Sequence, residues 1–172
     1  IVITHGTDTM SRPLRILLVN KAYPPHIGGI ETLVRQYARY FQTQFSAEVQ
    51  VLVCQEKGKT ARETIGGVPV LRAGSIGTYF SCPLSGSFLR YFRKYAKQAD
   101  VVMIHMPFPL ADLACLLSGY RGRVVLAWHS DVIKQKTLLR FYAPLLRWLL
   151  RRADCILTAT QGHIDSSAIL PA

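Results

Sequence analysis

The first strong apolar run of the chain leads directly into a glycine pair and an amphipathic helical pattern. Residues 14–20 (LRILLVN) favour a β-strand, and the loop after them carries two prolines before Gly28 and Gly29. A helix predicted from Ile30 directs the positive end of its dipole toward that loop. Because glycine has no Cβ, the chain can turn tightly there and a phosphate can approach the main-chain N–H groups. The same pair also fits simple turn chemistry, which the residues alone leave open.

Apolar runs and amphipathic runs alternate along the rest of the chain. Strands are predicted over 14–20, 48–54, 68–72, 101–106, 123–128 and 154–159, and helices over 30–45, 84–98, 109–118 and 136–152. The strands are continuous Val/Ile/Leu-rich blocks, which is typical of a parallel sheet with helices on both faces. We therefore predict an α/β fold with a Rossmann-like, doubly wound parallel sheet and a ligand crevice outside the carboxyl ends of its strands. The charged segment 55–67 is predicted to be an exposed loop.

The composition indicates a folded domain and favours anionic partners. A chain of 172 residues with 49% hydrophobic content is long and apolar enough for one folded domain. Its 21 Lys and Arg against 10 Asp and Glu give a net charge of +11, which favours nucleic acid, a phospholipid surface or a phosphorylated substrate. The four cysteines are interpreted as reduced core thiols, with Cys54 and Cys155 in runs typical of buried strands. No apolar stretch is long enough to span a membrane and no signal peptide is evident, so we expect a cytoplasmic protein.

Polar side chains cluster at three predicted strand ends, on the edge where the crevice is expected. They are His26, Glu31, His105, His129 and Asp131, and Pro107 fixes the extended loop that follows His105. A lone histidine is more often structural, but three at one sheet edge favour a ligand site, where imidazoles can donate to sugar hydroxyls or phosphate oxygens. Asp131 could accept from a hydroxyl or hold His129 in one tautomer. The chain has no zinc, P-loop, nucleophile-elbow or dinucleotide motif, so neither a metal nor a nicotinamide cofactor is predicted.

Three segments, taken in order, carry a family resemblance. They are RILLVNKAYPPHIGGIETLVRQYAR, DVVMIHMPFPLADLA and VVLAWHSDVIKQKTLLRFYAPLLRWLLRRADCILTAT. Together they resemble the amino-terminal domain of glycosyltransferase family 4, whose members are retaining enzymes of the GT-B fold that use nucleotide-activated sugars. The resemblance covers residues 14–172 and implies one half of a GT-B fold, the acceptor-side domain. It implies no metal or other cofactor beyond the nucleotide-sugar donor.

The resemblance also implies roles for individual residues. Gly28 and Gly29 would lie against the donor diphosphate, and His129 would lie near the donor sugar, with Asp131 completing an H-x-D pattern. Four residues are placed on the acceptor side: His26, Glu31, His105 and Pro107. Transfer would be front-face with retention, and cations of a carboxy-terminal domain would help to stabilise the leaving diphosphate. That domain binds most of the nucleotide in this family, so we expect the 172-residue chain alone to be inactive.

The expected function is the synthesis of a cell-surface polysaccharide, a lipopolysaccharide or a glycolipid, with a glycan or lipid-linked acceptor. The alternative is a non-catalytic Rossmann-like module that binds a phosphorylated or lipid-linked ligand. Residues 1–10 (IVITHGTDTM) separately resemble the second signature of bacterial-type L-asparaginases, in which Thr7 and Asp8 would contact the amide substrate. Because the Thr-Gly-Gly-Thr signature of that family is missing, segment 1–13 is interpreted as an extension outside the fold.

The helix predicted over 84–98 carries a basic stripe interleaved with aromatic residues. Its basic members are Arg90, Arg93, Lys94 and Lys97. A solvated helix face is one reading of this stripe, and a peripheral contact with the anionic inner face of the cell membrane is the other. The second suits an enzyme with a lipid-linked acceptor. Nucleic-acid binding is a rival that no helix-turn-helix, RNP or zinc module supports.

Overall fold

The computed structural model of the protein describes residues 12–79, 82–129 and 136–158, except the side chains of 136–141. Within them the chain forms a seven-stranded sheet, a small hairpin and four helices. The strands are β1 Arg15–Val19, β2 Glu48–Cys54, β3 Ala61–Ile65, β4 Val68–Ala73, β5 Thr78–Tyr79, β6 Cys82–Pro83, β7 Val101–Met106, β8 Arg123–Trp128 and β9 Cys155–Thr158. The helices are α1 Gly29–Phe45, α2 Gly86–Ala96, α3 Pro109–Ser118 and α4 Lys136–Arg152.

The large sheet has the strand order β3-β4-β2-β1-β7-β8-β9. Every neighbouring pair in it is parallel except β3 and β4, which are antiparallel. The chain first builds outward from β1 through β2 to β4, and then returns to β7 on the other side of β1. This order confirms the predicted α/β class with a Rossmann-like, doubly wound sheet, and it places the topological switch point between β1 and β7.

Both faces of the sheet are buried, which explains the continuous apolar strands. In β1, Leu17 and Val19 join a core completed by residues of α2, α3 and α4. Their neighbours Ile16 and Leu18 point to the opposite face and join a second core with residues of α1. Successive side chains of a strand point to opposite faces, so a strand covered on both sides needs apolar residues at every position.

The segment predicted as an exposed loop over 55–67 contains a strand, so that prediction was wrong in part. Residues 61–65 form β3, which turns through Gly66 and Gly67 into β4. Both glycines have positive φ angles, 58° and 82°, as the tight turns of hairpins require. The three middle side chains of β3 are exposed, so an edge strand with polar residues carried no apolar signal.

The cysteines differ in how deeply they are buried. All four are free thiols, and Cys54 and Cys115 are buried as predicted for core residues. Cys155, however, is exposed, although its apolar run is typical of a buried strand. It begins β9, which has a neighbour on one side only among the described strands, so its surroundings are less complete than those of a central strand.

A buried hydrogen bond between a carboxyl and a tyrosine hydroxyl joins α3 to α4. Asp112, in the first turn of α3, has no solvent exposure, and its Oδ2 accepts a hydrogen bond from the hydroxyl of Tyr142. Its Oδ1 has no hydrogen-bond partner among the described residues. Burial raises the pKa of Asp112 to about 7, and the Tyr142 hydrogen bond and the charge of Lys21 oppose that rise. The folded protein therefore holds a proton on Asp112 under conditions in which an exposed carboxyl is ionised.

We predict that Asp112→Asn removes a pH dependence of stability. A carboxyl in the unfolded chain has a pKa of about 3.9, so the native state binds the extra proton and loses stability as the pH rises from about 4 to about 7. The neutral amide does not titrate. At pH 8 we expect the variant to exceed the wild type in free energy of unfolding by on the order of 2 kcal/mol, and the gain to shrink toward pH 4. Urea unfolding followed by circular dichroism at pH 4, 6 and 8 measures it.

Asp154→Asn provides a control of opposite sign. The pKa of Asp154 is lowered, chiefly because its carboxylate accepts the backbone N–H of Val124, with a smaller contribution from Arg152. Its stabilisation is present above the unfolded pKa and is lost as the pH falls, so this variant should be less stable than wild type at pH 8. Parallel pH profiles for Asp112→Asn and the wild type would contradict the burial argument.

Candidate functional site

The loop after β1 is held against the sheet by main-chain and side-chain hydrogen bonds. Asn20, the first residue of the loop, donates from Nδ2 to the carbonyl of Ala22 at 2.9 Å. Tyr23 is fully buried in the core beneath α1, and its carbonyl accepts the backbone N–H of His26 at 3.3 Å. The loop is therefore anchored in its middle and delivers the chain to the start of α1 in a defined position.

Arg72 of β4 clamps this loop from the side. Its guanidinium donates to the carbonyl of Tyr23 at 3.1 Å and to the carbonyl of Pro24, and it pairs with the carboxylate of Glu63 on β3. The side chain is only 12% exposed, so these hydrogen bonds are shielded from water. Sequence reasoning did not single out Arg72. A charged residue at the end of the apolar run VPVLR was the available signal, because buried arginines need partners.

The glycine pair begins α1 without any unusual backbone conformation. Gly28 is the residue before the helix and is extended, with φ −170° and ψ 162°, and Gly29 is the first helical residue. Neither has a positive φ, so the backbone here is one that any residue can adopt. A Cβ on Gly28 would lie 2.0 Å from Oε2 of Glu31, the end of a flexible side chain that would have to move, whereas a Cβ on Gly29 would meet no atom within 4 Å.

The start of α1 is suited to an anion on the Gly29 side. Gly28 offers no side chain to cap the helix, so the first-turn N–H groups keep their hydrogen-bonding capacity. On the Gly28 side the carboxylate of Glu31 folds back over the backbone, and its negative charge opposes an anion there. Glu31 Oε1 also lies 3.7 Å from Nδ1 of His26, whose side chain is half exposed. The structure thus brings these two predicted acceptor-side residues together.

The two strand-end histidines meet directly. Nδ1 of His105, in β7, lies 3.0 Å from Nε2 of His129, which follows β8. His105 is buried, and burial lowers its pKa to about 3, with His129 adding to the effect. Tyr37 of α1 packs against His105 with ring centroids 5.9 Å apart. The pair is therefore linked by direct packing to the helix that begins at the glycine pair.

The remaining predicted site residues lie around this edge or outside the described part of the chain. Pro107 follows β7 at partial exposure and is joined to Met106 by a cis peptide bond. Asp131 lies outside the described residues, as do Thr7 and Asp8 of the asparaginase-like segment. Arg12, within the predicted extension 1–13, donates to both carboxylate oxygens of Asp100 at 2.8 and 2.6 Å. The assigned roles of these residues remain predictions.

The predicted basic face of α2 is exposed. All four members project to solvent: Arg90, Arg93, Lys94 and Lys97. Phe88 and Phe92, by contrast, are fully buried, so the aromatic residues between the basic ones do not all reach the surface. Tyr91 is partly buried against the core, and the guanidinium carbons of Arg62 and Arg90 lie 5.6 and 5.2 Å from its ring centroid.

Three other features of the described residues bear on function. A depression of about 480 Å³ lies at the amino ends of β1 and β2, lined in part by Arg15 and Glu48, and it contains none of the predicted site residues. It opens at the sheet edge opposite the switch point, so we do not assign the ligand site to it. No three acidic, histidine or cysteine side chains in the described ranges are arranged to hold a metal ion. No described helix is long and apolar enough to cross a membrane.

Solved structures define the class of fold. The chain is similar to the sucrose-phosphate synthase of Thermosynechococcus elongatus, with a TM-score of 0.55 and 12% identity over 83% of this chain and 41% of that one. It is also similar to an α,α-trehalose-phosphate synthase of Burkholderia xenovorans, with a TM-score of 0.55 and 13% identity over 90% of this chain and 42% of that one. The sheet is the Rossmann-like half of a GT-B glycosyltransferase fold.

Sequence comparison then gives the family. Residues 28–166 match the model of the glycosyl transferase 4-like domain, and the chain belongs to this family. It is 32% identical to the D-rhamnosyltransferase WbpZ of Pseudomonas aeruginosa, over 91% of this chain and 41% of that protein. It is 29% identical to the O-antigen chain mannosyltransferase C of Escherichia coli, over 91% of this chain and 42% of that protein. The chain spans about two fifths of the length of these relatives.

We predict that Gly29→Val abolishes diphosphate binding by the loop and leaves the fold intact. The valine side chain would occupy the open space beside the first turn of α1, while the backbone there is allowed for any residue. Titration calorimetry with pyrophosphate should detect binding by the wild type and none by the variant, a loss of affinity well beyond the tenfold that corresponds to about 1.4 kcal/mol.

Gly86→Val is the matched control for this substitution. Gly86 is the first residue of α2, and a Cβ there also meets no atom within 4 Å. The same chemical change at another helix start should leave pyrophosphate affinity unchanged. Equal losses of pyrophosphate affinity in the two variants, or no loss in Gly29→Val, would contradict diphosphate binding at the glycine pair.

Proposed function

We propose that this chain is the amino-terminal, acceptor-side domain of a retaining glycosyltransferase that builds a cell-surface polysaccharide, a lipopolysaccharide or a glycolipid. Two observations together support this proposal most strongly. The chain belongs to the glycosyl transferase 4-like family, and the uncapped start of α1 lies at the same edge of the sheet as the His105–His129 pair. Relatives named as a rhamnosyltransferase and an O-antigen mannosyltransferase support a hexosyl donor and a glycan or lipid-linked acceptor.

In this proposal the donor diphosphate binds on the Gly29 side of α1. The first-turn N–H groups and the helix dipole stabilise the negative charge that develops on the leaving diphosphate, and no protein nucleophile is needed. A carboxy-terminal domain supplies the other wall of the donor site and most of the nucleotide contacts. The chain covers about two fifths of its relatives, which leaves room for such a domain in proteins of their length. The isolated chain would be inactive because only one wall of the site is present.

The acceptor would enter between the loops that follow β1 and β7. Glu31 and His26 lie 3.7 Å apart at this edge and can hydrogen-bond to acceptor hydroxyls, while Pro107 shapes the facing loop. The Glu31 carboxylate repels the diphosphate from Gly28 and so helps to separate the donor and acceptor subsites. His129 would contact the donor sugar, with Asp131 assisting it. No metal ion or other cofactor enters this scheme.

The basic face of α2 would hold the enzyme at the anionic inner face of the cell membrane. Long basic side chains are exposed along one side of the helix, and Tyr91 adds an amphipathic ring of the kind that suits a membrane interface. The amino end of α2 lies at the carboxyl edge of the sheet, because the helix connects the parallel strands β4 and β7. The basic residues lie in the later turns of α2, so docking by this face would place the flank of the domain on the membrane.

We predict that the full-length protein transfers a hexose from a nucleotide sugar, and that His129→Ala lowers turnover by about 100-fold. A panel that includes nucleotide-activated rhamnose and mannose, with product detection by mass spectrometry, tests both parts. The substitution should lower turnover more than stability, because His129 lies beside the crevice, although the fold loses its hydrogen bond to the buried His105. Binding of a nucleotide sugar without transfer to any acceptor would favour the non-catalytic alternative. Wild-type turnover in His129→Ala, or its failure to fold, would contradict the role of His129.

We predict that the protein binds vesicles only when they contain anionic lipid, and that added salt weakens the binding. Each basic residue near the surface contributes about 1 kcal/mol, screened over a Debye length of about 8 Å at physiological salt. Arg93→Glu with Lys97→Glu should release the protein in a sedimentation assay and leave its fold intact. Arg35→Glu with Arg39→Glu makes the same charge change on exposed positions of α1, on the other face of the sheet, and should keep binding. Equal release by both pairs would contradict a specific basic face.

A further inference from the structure

The two histidine rings meet edge to edge. Their planes differ by 8° and their centroids are 5.2 Å apart, while Nδ1 of His105 and Nε2 of His129 are separated by 3.0 Å. The centroid separation exceeds the nitrogen separation by nearly two ring radii, so the rings lie almost in one plane. This is the geometry of an in-plane hydrogen bond and not of face-to-face stacking.

The surroundings of His105 limit what it can do. The residue is 1% exposed, its neighbours in β7 are buried, and Tyr37 packs against its ring. Its Nε2 has no hydrogen-bond partner among the described residues, so the contact with His129 is the hydrogen bond that the described structure gives this ring. Burial also keeps the ring neutral, so it carries a single proton.

The position of that proton follows from the unpartnered nitrogen. If the proton were on Nε2 of His105, an N–H group would be buried without an acceptor, which folded proteins seldom tolerate. If it is on Nδ1, that nitrogen donates to Nε2 of His129 and only a lone pair is left without a partner. A neutral His129 that accepts at Nε2 must then carry its own proton on Nδ1.

We propose that His105 is a positioning residue, which holds His129 in the Nδ1–H tautomer and in one ring orientation at the crevice. A flip of the His129 ring would turn a carbon toward His105 and break the hydrogen bond. In this proposal His105, which was predicted on the acceptor side, is too buried to touch substrate and acts only through His129. The kinetic part of this inference rests on the proposed transferase function, whereas the tautomer does not.

Nitrogen NMR of the full-length protein with ¹⁵N-labelled histidine rings tests the tautomer directly. In the wild type, Nδ1 of His129 should have the chemical shift of a protonated nitrogen and Nε2 that of an unprotonated acceptor. In His105→Phe, which keeps an aromatic ring but removes the donor, both shifts should move toward averaged values as the tautomers interconvert. A protonated Nε2 in the wild type, or unchanged His129 shifts in His105→Phe, would overturn the proposal.

An amide pair separates hydrogen bonding from packing. In His105→Asn the amide nitrogen can take the place of Nδ1 and donate to His129, whereas the longer side chain of His105→Gln places its amide near the position of Nε2. We expect His105→Asn to retain the single His129 tautomer and turnover within about twofold of wild type. His105→Gln and His105→Phe should lose about tenfold in kcat with little change in donor KM, as for one lost hydrogen bond.

The outcomes distinguish this inference from the proposed function. Equal losses of turnover in His105→Asn and His105→Gln, at equal melting temperatures, would mean that His105 only fills space. If the wild type transfers no sugar, the proposed function fails, and the NMR comparison still decides whether His105 sets the His129 tautomer. If His105→Phe does not fold, the Asn and Gln variants carry the same comparison.

Discussion

Burial of β1 on both faces is the constraint on which the rest of the structure depends. β1 pairs in parallel with β2 on one side and with β7 on the other, and its side chains enter two separate cores. In a strand covered on both faces and paired on both sides, only the two ends are accessible to a ligand. Since the chain leaves β1 at the switch point, the loop that follows it must lie in the crevice between the two halves of the sheet.

The loop after β1 depends on an edge of the sheet that is distant in sequence. Arg72 reaches from β4 to the carbonyls of Tyr23 and Pro24, and Glu63 on the antiparallel edge strand β3 pairs with the same guanidinium. The hairpin of β3 and β4 thus supports the approach to the glycine pair. A buried guanidinium with several acceptors holds backbone more rigidly than water would, because its hydrogen bonds lie in a low-dielectric environment.

The histidines show how the sheet converts separate strand ends into one site. His105 and His129 lie 24 residues apart in the chain, and the register of β7 with β8 places their rings within hydrogen-bond distance. One ring is buried and the other lies at the crevice. A buried partner that orients a more exposed histidine through one ring nitrogen leaves the other nitrogen able to face a ligand.

The sequence by itself determined the order of strands and helices, because strands covered on both faces and amphipathic helices leave clear apolar patterns, and its ordered motifs indicated the family. It also placed His105 and His129 at the ends of two strands that the structure pairs. It could not detect β3, whose exposed polar residues carry no apolar pattern, nor the two-residue strands β5 and β6, nor the exposure of Cys155 in β9. Only the tertiary structure decided the contacts of Arg72, the Asp112–Tyr142 pair and the burial of His105, because each depends on groups that distant segments bring together. It also decided the place of Glu31 over Gly28, which depends on how α1 begins.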